Sequence, residues 1–190
     1  MPTSGVERVY LARHGRTALN ADGRLRGLSD PPLDDVGQME AKRLGEALAA
    51  FRPRVVISSP LQRAVSTAQA IGAAAHIGVE IDQRLNDRDY GQWTGQPRAQ
   101  VEERFGSIDA APGVEPADAV AARALAAFTE LTREYSGGPL VLVSHDAFNT
   151  ALLRMLDPAL EGIEQRTACY NQLSRIEGRW RVDFYDRKPQ

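Results

Sequence analysis

Two histidines, each closing a short apolar run, are the residues of this sequence best equipped for chemistry. His14 ends Val9-Tyr10-Leu11-Ala12-Arg13-His14-Gly15, and His145 follows Leu140-Val141-Leu142-Val143-Ser144. Apolar, β-prone runs that stop in such polar turns read as buried strands. Ligand sites of α/β sheets lie at the carboxyl ends of strands, so both imidazoles are expected at one rim. An imidazole beside a guanidinium suits phosphate chemistry there. The ring nitrogen can attack phosphorus while Arg13 holds the non-bridging oxygens in a fork. The second imidazole can serve as an imidazolium or as a neutral donor to the equatorial oxygens. Gly15 is expected to let the backbone turn and approach a bulky anion closely. His76, the one remaining histidine, falls at a predicted helix end and reads as structural or solvent-facing.

Arg63 is the third element. Ser58-Ser59-Pro60 predicts a helix start, with serine as cap and proline in the first turn. Arg63 then lies in that first turn, where the helix dipole disfavours a cation unless an anion is near. Arg8, Arg13, Arg16, Arg24 and Arg26 also crowd around His14 and tilt the local field toward anions. Yet the 190-residue chain carries a net charge of −2, which argues against nonspecific nucleic-acid binding as its main task. Cys169 is the single cysteine; a disulfide framework and a Cys-rich zinc site are excluded, and a small core residue is expected. Met1 to Glu7 lacks the apolar core of a signal peptide, and no run approaches the ~18 apolar residues of a membrane span. A soluble cytoplasmic protein without a membrane partner follows.

The elements that must position these residues alternate along the chain. Helical spacing of Met39, Leu44, Ala47, Leu48 and Phe51 predicts a helix from Asp34 to Phe51. Val55 to Ile57 reads as a buried strand, the next helix runs to about Ala75, and Val79 to Ile81 reads as a third strand. Asp87 to Pro116 is irregular, with a short helix at Ala99 to Phe105, and is a candidate lid or substrate region over about 88–116. A helix over Ala117 to Tyr135 leads to the strand at 140–143, and another follows at Ala147 to Leu156. Cys169 to Ile176 and Trp180 to Tyr185 read as a hairpin about Glu177-Gly178-Arg179. The pattern predicts one α/β domain over 1–190, a three-layer α/β/α sandwich on a mostly parallel, mixed sheet.

Several segments, in order, resemble the histidine phosphatase superfamily, in the branch shared by cofactor-dependent phosphoglycerate mutases and small bacterial phosphatases. They are Arg13-His14-Gly15 with Thr17 and Asn20, then Asp30-Pro31-Pro32-Leu33 with Gly37, and Ser58-Ser59-Pro60-Leu61-Gln62-Arg63-Ala64 with Thr67-Ala68. Leu85-Asn86-Asp87-Arg88-Asp89-Tyr90-Gly91 with Trp93 and Gly95, and Val143-Ser144-His145, complete the set. The resemblance covers essentially the whole chain and implies a phosphoglycerate mutase-like fold. It implies that His14 becomes phosphohistidine, that Arg13, Arg63 and His145 surround the phosphoryl oxygens with Asn20 assisting, and that Arg26 and Gly27 line the substrate side. No metal or other cofactor is implied, since the cationic pocket does what a metal ion does elsewhere.

Departures from the family pattern matter too. Most relatives place glutamate where this chain has Asp87, so the expected general acid is one methylene shorter. Asp146, directly after His145, is a second candidate, because a His-Asp pair carries the proton donor in the acid phosphatase branch. Arg16 adds charge where relatives are acidic or amide, and Val114 and Pro116 alter a Pro-Gly-Gly-Glu-Ser segment. The resemblance implies a metal-independent phosphatase acting on a small phosphorylated metabolite. The rival mutase would carry a longer insertion before the second histidine and a C-terminal tail. A protein-phosphohistidine phosphatase and a non-catalytic phosphate-binding relative are further alternatives. A metal site on His145-Asp146 would need more ligands than the sequence offers. Substrate identity and oligomeric state stay open.

Overall fold

The computed structural model describes residues 6–190; residues 1–5, part of the stretch read above for a signal segment, lie outside the described residues. In chain order the elements are β1 (Arg8–Arg13), a single turn α1 (Ala18–Ala21), α2 (Asp35–Ala49), β2 (Val55–Ser58), α3 (Gln62–Ala75) and β3 (Val79–Ile81). Then come α4 (Arg98–Phe105), α5 (Ala117–Glu134), β4 (Leu140–Ser144), α6 (Asp146–Leu156), β5 (Tyr170–Ile176) and β6 (Arg179–Arg187). The strands form one mixed sheet in the order β3-β2-β4-β1-β5-β6. The first four of these run parallel, and β5 lies antiparallel to both β1 and β6. The hairpin turns through Glu177 and Gly178, both at positive φ, as a two-residue turn matched to strand twist requires.

Strand alternation sends each strand's side chains to two cores. Val9, Leu11, Ile57 and Leu142 pack with Ala127, Phe128 and Leu131 of α5 and with Phe148 and Leu152 of α6. Tyr10, Ala12, Val56 and Val141 pack with Leu44 and Leu48 of α2 and with Ala64, Ala68 and Ile71 of α3. The α/β/α sandwich expected from the sequence is thus present. Met39, counted in the α2 periodicity, instead faces solvent at 57% exposure; Gly37, Ala41, Leu44, Gly45 and Leu48 form the buried stripe. Leu25, Tyr90, Val101, Ile108 and Ala111 make a third, smaller core with Trp93 and Phe105. Among the described residues no helix is long and apolar enough to cross a membrane.

This topology makes a crevice. The chain leaves β1 for helices on one face of the sheet and leaves β4 for α6 on the other. Neighbouring strands whose connections part in this way leave a cleft at their carboxyl ends. Register pairs Arg13 with Ser144, so His14 and His145 come next, side by side.

Candidate active site

The two imidazoles face each other across that cleft, ring centroids 5.2 Å apart, and both side chains are fully buried. His14 Nδ1 lies 2.7 Å from the Gly15 carbonyl oxygen. A carbonyl only accepts, so Nδ1 carries the proton and Nε2 keeps its lone pair. That Nε2 is buried and has no partner within the protein. Burial pushes the His14 pKa well below its ordinary value, reinforced by Arg63, His145, Arg13 and Arg26. His145 is lowered likewise, first by burial and then by Arg63 and Arg13. Both rings are therefore neutral near neutral pH. Of the two states open to His145, the neutral donor is the one the surroundings support. Ser59 Oγ sits 2.8 Å from His145 Nε2; if its hydroxyl donates there, the ring proton rests on Nδ1, 3.6 Å from Asp87 Oδ2.

A linkage follows from the two depressed values. Unfolded histidines take up protons below about pH 6.5, while these folded ones stay neutral until well below it. Stability is then present above that value and falls as pH drops, by up to ~1.4 kcal/mol per pH unit for each ring. Urea unfolding at pH 7.0 and 5.5 checks this: His145→Gln should flatten the slope by about one ring's share. An unchanged slope would mean that the buried rings do not set the acid sensitivity.

Arg63 is held from three sides. Its guanidinium donates to the carbonyls of Ser29 (2.7 Å) and Gly27 (2.8 Å) and to Asp87 Oδ2 at 3.0 Å. Gly27 sits at φ +52°, and a Cβ there would stand 3.1 Å from the Tyr90 ring, so glycine lets its carbonyl reach Arg63. The expected first-turn position of Arg63 holds, but the capping does not. The helix starts at Gln62, with Leu61 as its cap residue and no side-chain cap of its own. Asp30, from a distant loop, accepts the Gln62 amide at 2.6 Å. Ser59 is drawn instead to His145.

Arg13 is almost fully buried; its guanidinium donates to the Gln165 carbonyl and lies 3.9 Å from Asp146. Among the described residues the Arg26 guanidinium bonds the Arg24 carbonyl, at 3.1 Å, and its Nε is buried without a partner. Burial and the nearby Arg13 bring its pKa down to about 10. Arg13 Nε, Arg63 Nε and His145 Nδ1 are likewise buried and unpartnered. Such a concentration of unpaired donors is what an anion would satisfy. Asp87 is 4% exposed and reaches the pocket despite its shorter side chain, whereas Asp146 is 42% exposed by side chain and stands at the rim.

Other expectations are revised. A Cβ on Gly15 would lie 2.5 Å from the Gly37 carbonyl oxygen, and one on Gly37 only 2.0 Å from the Arg16 carbonyl oxygen. These glycines let the His14 loop press on the start of α2, a packing role rather than approach to a ligand. Arg16 is paired with Asp34 at 2.8 Å, so its charge is tied to the α2 cap. The Asn20 carbonyl oxygen is used by Thr17 in a capping box, which leaves its amide nitrogen as the available donor. Among the described residues no group of three or more His, Cys, Asp or Glu is placed to hold a metal, so His145-Asp146 gains no third ligand. His76 is exposed and caps α3 in the left-handed conformation. Cys169 is buried, as expected.

Four supporting residues have roles that the sequence reading did not assign, although Ser59 and Thr67 lie in its motif segments. Ser59 orients His145; Thr67 accepts the Gly15 amide at 3.0 Å; Gln165 anchors Arg13. Arg123 binds the carbonyls of Asn86 (2.9 Å) and Asp87 (2.8 Å) and pairs with Glu115. Arg123 stands out in the sequence as a lone charge within Ala121-Ala122-Arg123-Ala124, whereas Gln165 left no signal.

Comparison with known proteins agrees with this geometry. The model of the histidine phosphatase superfamily (branch 1) matches residues 9–187. The chain is 28% identical over 181 residues to the uncharacterized phosphatase PhoE of Bacillus subtilis, covering 94% of this chain and 93% of that one. It is 32% identical over 219 residues to the glucosyl-3-phosphoglycerate phosphatase of Mycolicibacterium vanbaalenii, covering 97% and 96%. A solved mycobacterial glucosyl-3-phosphoglycerate phosphatase in complex with VO3 superposes with a TM-score of 0.84 at 31% identity, covering 95% of this chain and 99% of that one. The chain belongs to the histidine phosphatase superfamily, branch 1, and is a phosphatase of phosphoglycerate mutase-like fold.

Proposed function

We propose that this protein hydrolyses small phosphorylated metabolites in two steps through a phosphohistidine at His14. The observation that carries the reading is the buried, unpartnered Nε2 of a neutral imidazole whose Nδ1–H is fixed on Gly15, set among three guanidiniums. In the first step the Nε2 lone pair forms a bond to phosphorus and the ester P–O bond breaks. Asp87, which takes up a proton as the substrate binds, gives it to the departing oxygen, which leaves as the alcohol. The imidazole becomes cationic as it is phosphorylated, and the Gly15 carbonyl, accepting from Nδ1, stabilises that charge. In the second step water attacks phosphorus, Asp87 takes its proton, and the P–N bond breaks to release phosphate and neutral His14.

Arg13, Arg26 and Arg63 hold the non-bridging oxygens and supply the positive charge that a metal ion supplies in other phosphoryl-transfer sites. His145 donates through Nδ1 as charge builds on those oxygens, and the Asn20 amide assists. Asp87 is preferred to Asp146 as acid because it is the buried carboxyl beside both Arg63 and His145. The reading carries with it a cytoplasmic location, a single domain and a lid role for residues 88–116, whose small core backs the Asp87 segment.

Phosphate release from an ester panel, with chelator present, tests the activity; loss of all release to the chelator would contradict it. Asp87→Asn tests the acid. Alkyl phosphates need a proton on their leaving oxygen and p-nitrophenyl phosphate does not, so the first step should slow about 10²–10⁴-fold for alkyl esters and far less for the aryl ester. Equal losses in single-turnover assays would remove Asp87 from that role.

A further inference from the structure

A cavity of about 600 Å³ opens where both chemistry-bearing segments end: Arg88 and Tyr90 follow Asp87, and Asp146 follows His145, and all three line it. The larger cavity of about 870 Å³ meets the site only at Asp87, on the side where Arg123 grips that segment's carbonyls. Neither lining includes His14, Arg13, Arg63 or His145; the smaller cavity adjoins them through Asp146, 3.9 Å from Arg13.

The two halves of the site differ in charge. Around His14, Arg13, Arg26 and Arg63 face the one buried carboxylate of Asp87, an excess that one phosphoryl dianion neutralises. In the neighbouring cavity, Arg88 is paired with Asp109 at 2.6 Å and Arg98 with Glu102 at 2.9 Å. Arg154 lies eight residues beyond Asp146 on α6, ~12 Å away along the axis. Nearest the phosphate pocket stands Asp146 itself, 3.9 Å from Arg13 and bonded by Thr150 at 3.2 Å. A carboxylate there accepts hydrogen bonds and repels anions.

Building on the phosphatase reading, we infer that the alcohol half of the substrate occupies this cavity and that Asp146 is a specificity-determining residue. It admits neutral, hydroxyl-bearing alcohols and disfavours an anionic group beside the ester. The substrates are then phosphate esters of polyols or sugars rather than of hydroxy acids.

A matched pair tests this: glycerol 3-phosphate and 3-phosphoglycerate differ only in a terminal hydroxymethyl against a carboxylate. The wild type should show a kcat/KM at least about tenfold higher for glycerol 3-phosphate, the order of discrimination a like charge within a few ångström produces. Asp146→Asn should bring that ratio to within about threefold. A wild type that prefers 3-phosphoglycerate overturns the inference without any variant, as does a ratio unchanged in Asp146→Asn. p-Nitrophenyl phosphate separates the two levels. If the wild type hydrolyses it with the selectivity reversed, only this inference fails. If it hydrolyses neither it nor the pair, the phosphatase reading fails and this one with it.

Discussion

Replacing His14 by alanine is expected to reduce phosphate release on the order of 10⁴-fold or more, because the covalent step loses its nucleophile. No neighbouring group can take over. His145 Nε2 is engaged by Ser59, and its remaining nitrogen lies beside Asp87. The variant should fold, since the one hydrogen bond of the His14 side chain runs to its own neighbour, Gly15. Circular dichroism and steady-state assays of purified variant and wild type check both halves of the statement. Residual activity within tenfold of wild type would mean that phosphorus is attacked by something else.

Arg63→Met is expected to damage both stability and activity. The guanidinium is fully buried and serves two carbonyls and the Asp87 carboxylate. Without it, Asp87 keeps a buried charge with no strong partner, an arrangement that costs about 3–5 kcal/mol. Phosphate release should fall with it, since one of three cationic contacts to the phosphoryl oxygens goes. Arg63→Lys should restore part of the stability and little of the activity: the charge returns, but not the planar fork that reaches three oxygens at once. A double variant, Arg63→Met with Asp87→Asn, separates the charge effect from lost packing. Removing the stranded carboxylate should recover at least about 1 kcal/mol by urea unfolding, a coupling expected of residues in contact. Strict additivity would show that the loss comes from packing and the two orphaned carbonyls.

What could be read from the chain alone was set by how local the signal is. His14, His145 and Arg63 each sit at a boundary between elements, and those boundaries are written in apolar runs and breakers. Their rim position follows from strand ends. Side-chain commitments made over long sequence distances were not readable. The α3 cap comes from Asp30, thirty-two residues earlier, so the nearer Ser59 was the natural local choice. Gly15 and Gly37 invite a reading as flexible or ligand-facing residues, and only the packed backbone reveals how closely the two segments touch. Arg16 belongs to a positive run in sequence, yet folding delivers Asp34 to it. Thr67 and Gln165 act through hydrogen bonds to Gly15 and Arg13, far away in the chain, which leave no trace in periodicity or charge.

Rapid-quench labelling with a phosphorus-labelled ester is the most direct test of the central claim, a covalent intermediate on His14. Wild-type protein mixed with substrate for milliseconds and quenched in alkali should carry label that is acid-labile and base-stable, and mass spectrometry of its peptides should place the phosphate on His14. His14→Ala should carry none. Stoichiometric burst turnover with no label on His14, or label on another residue that persists in His14→Ala, would contradict the account.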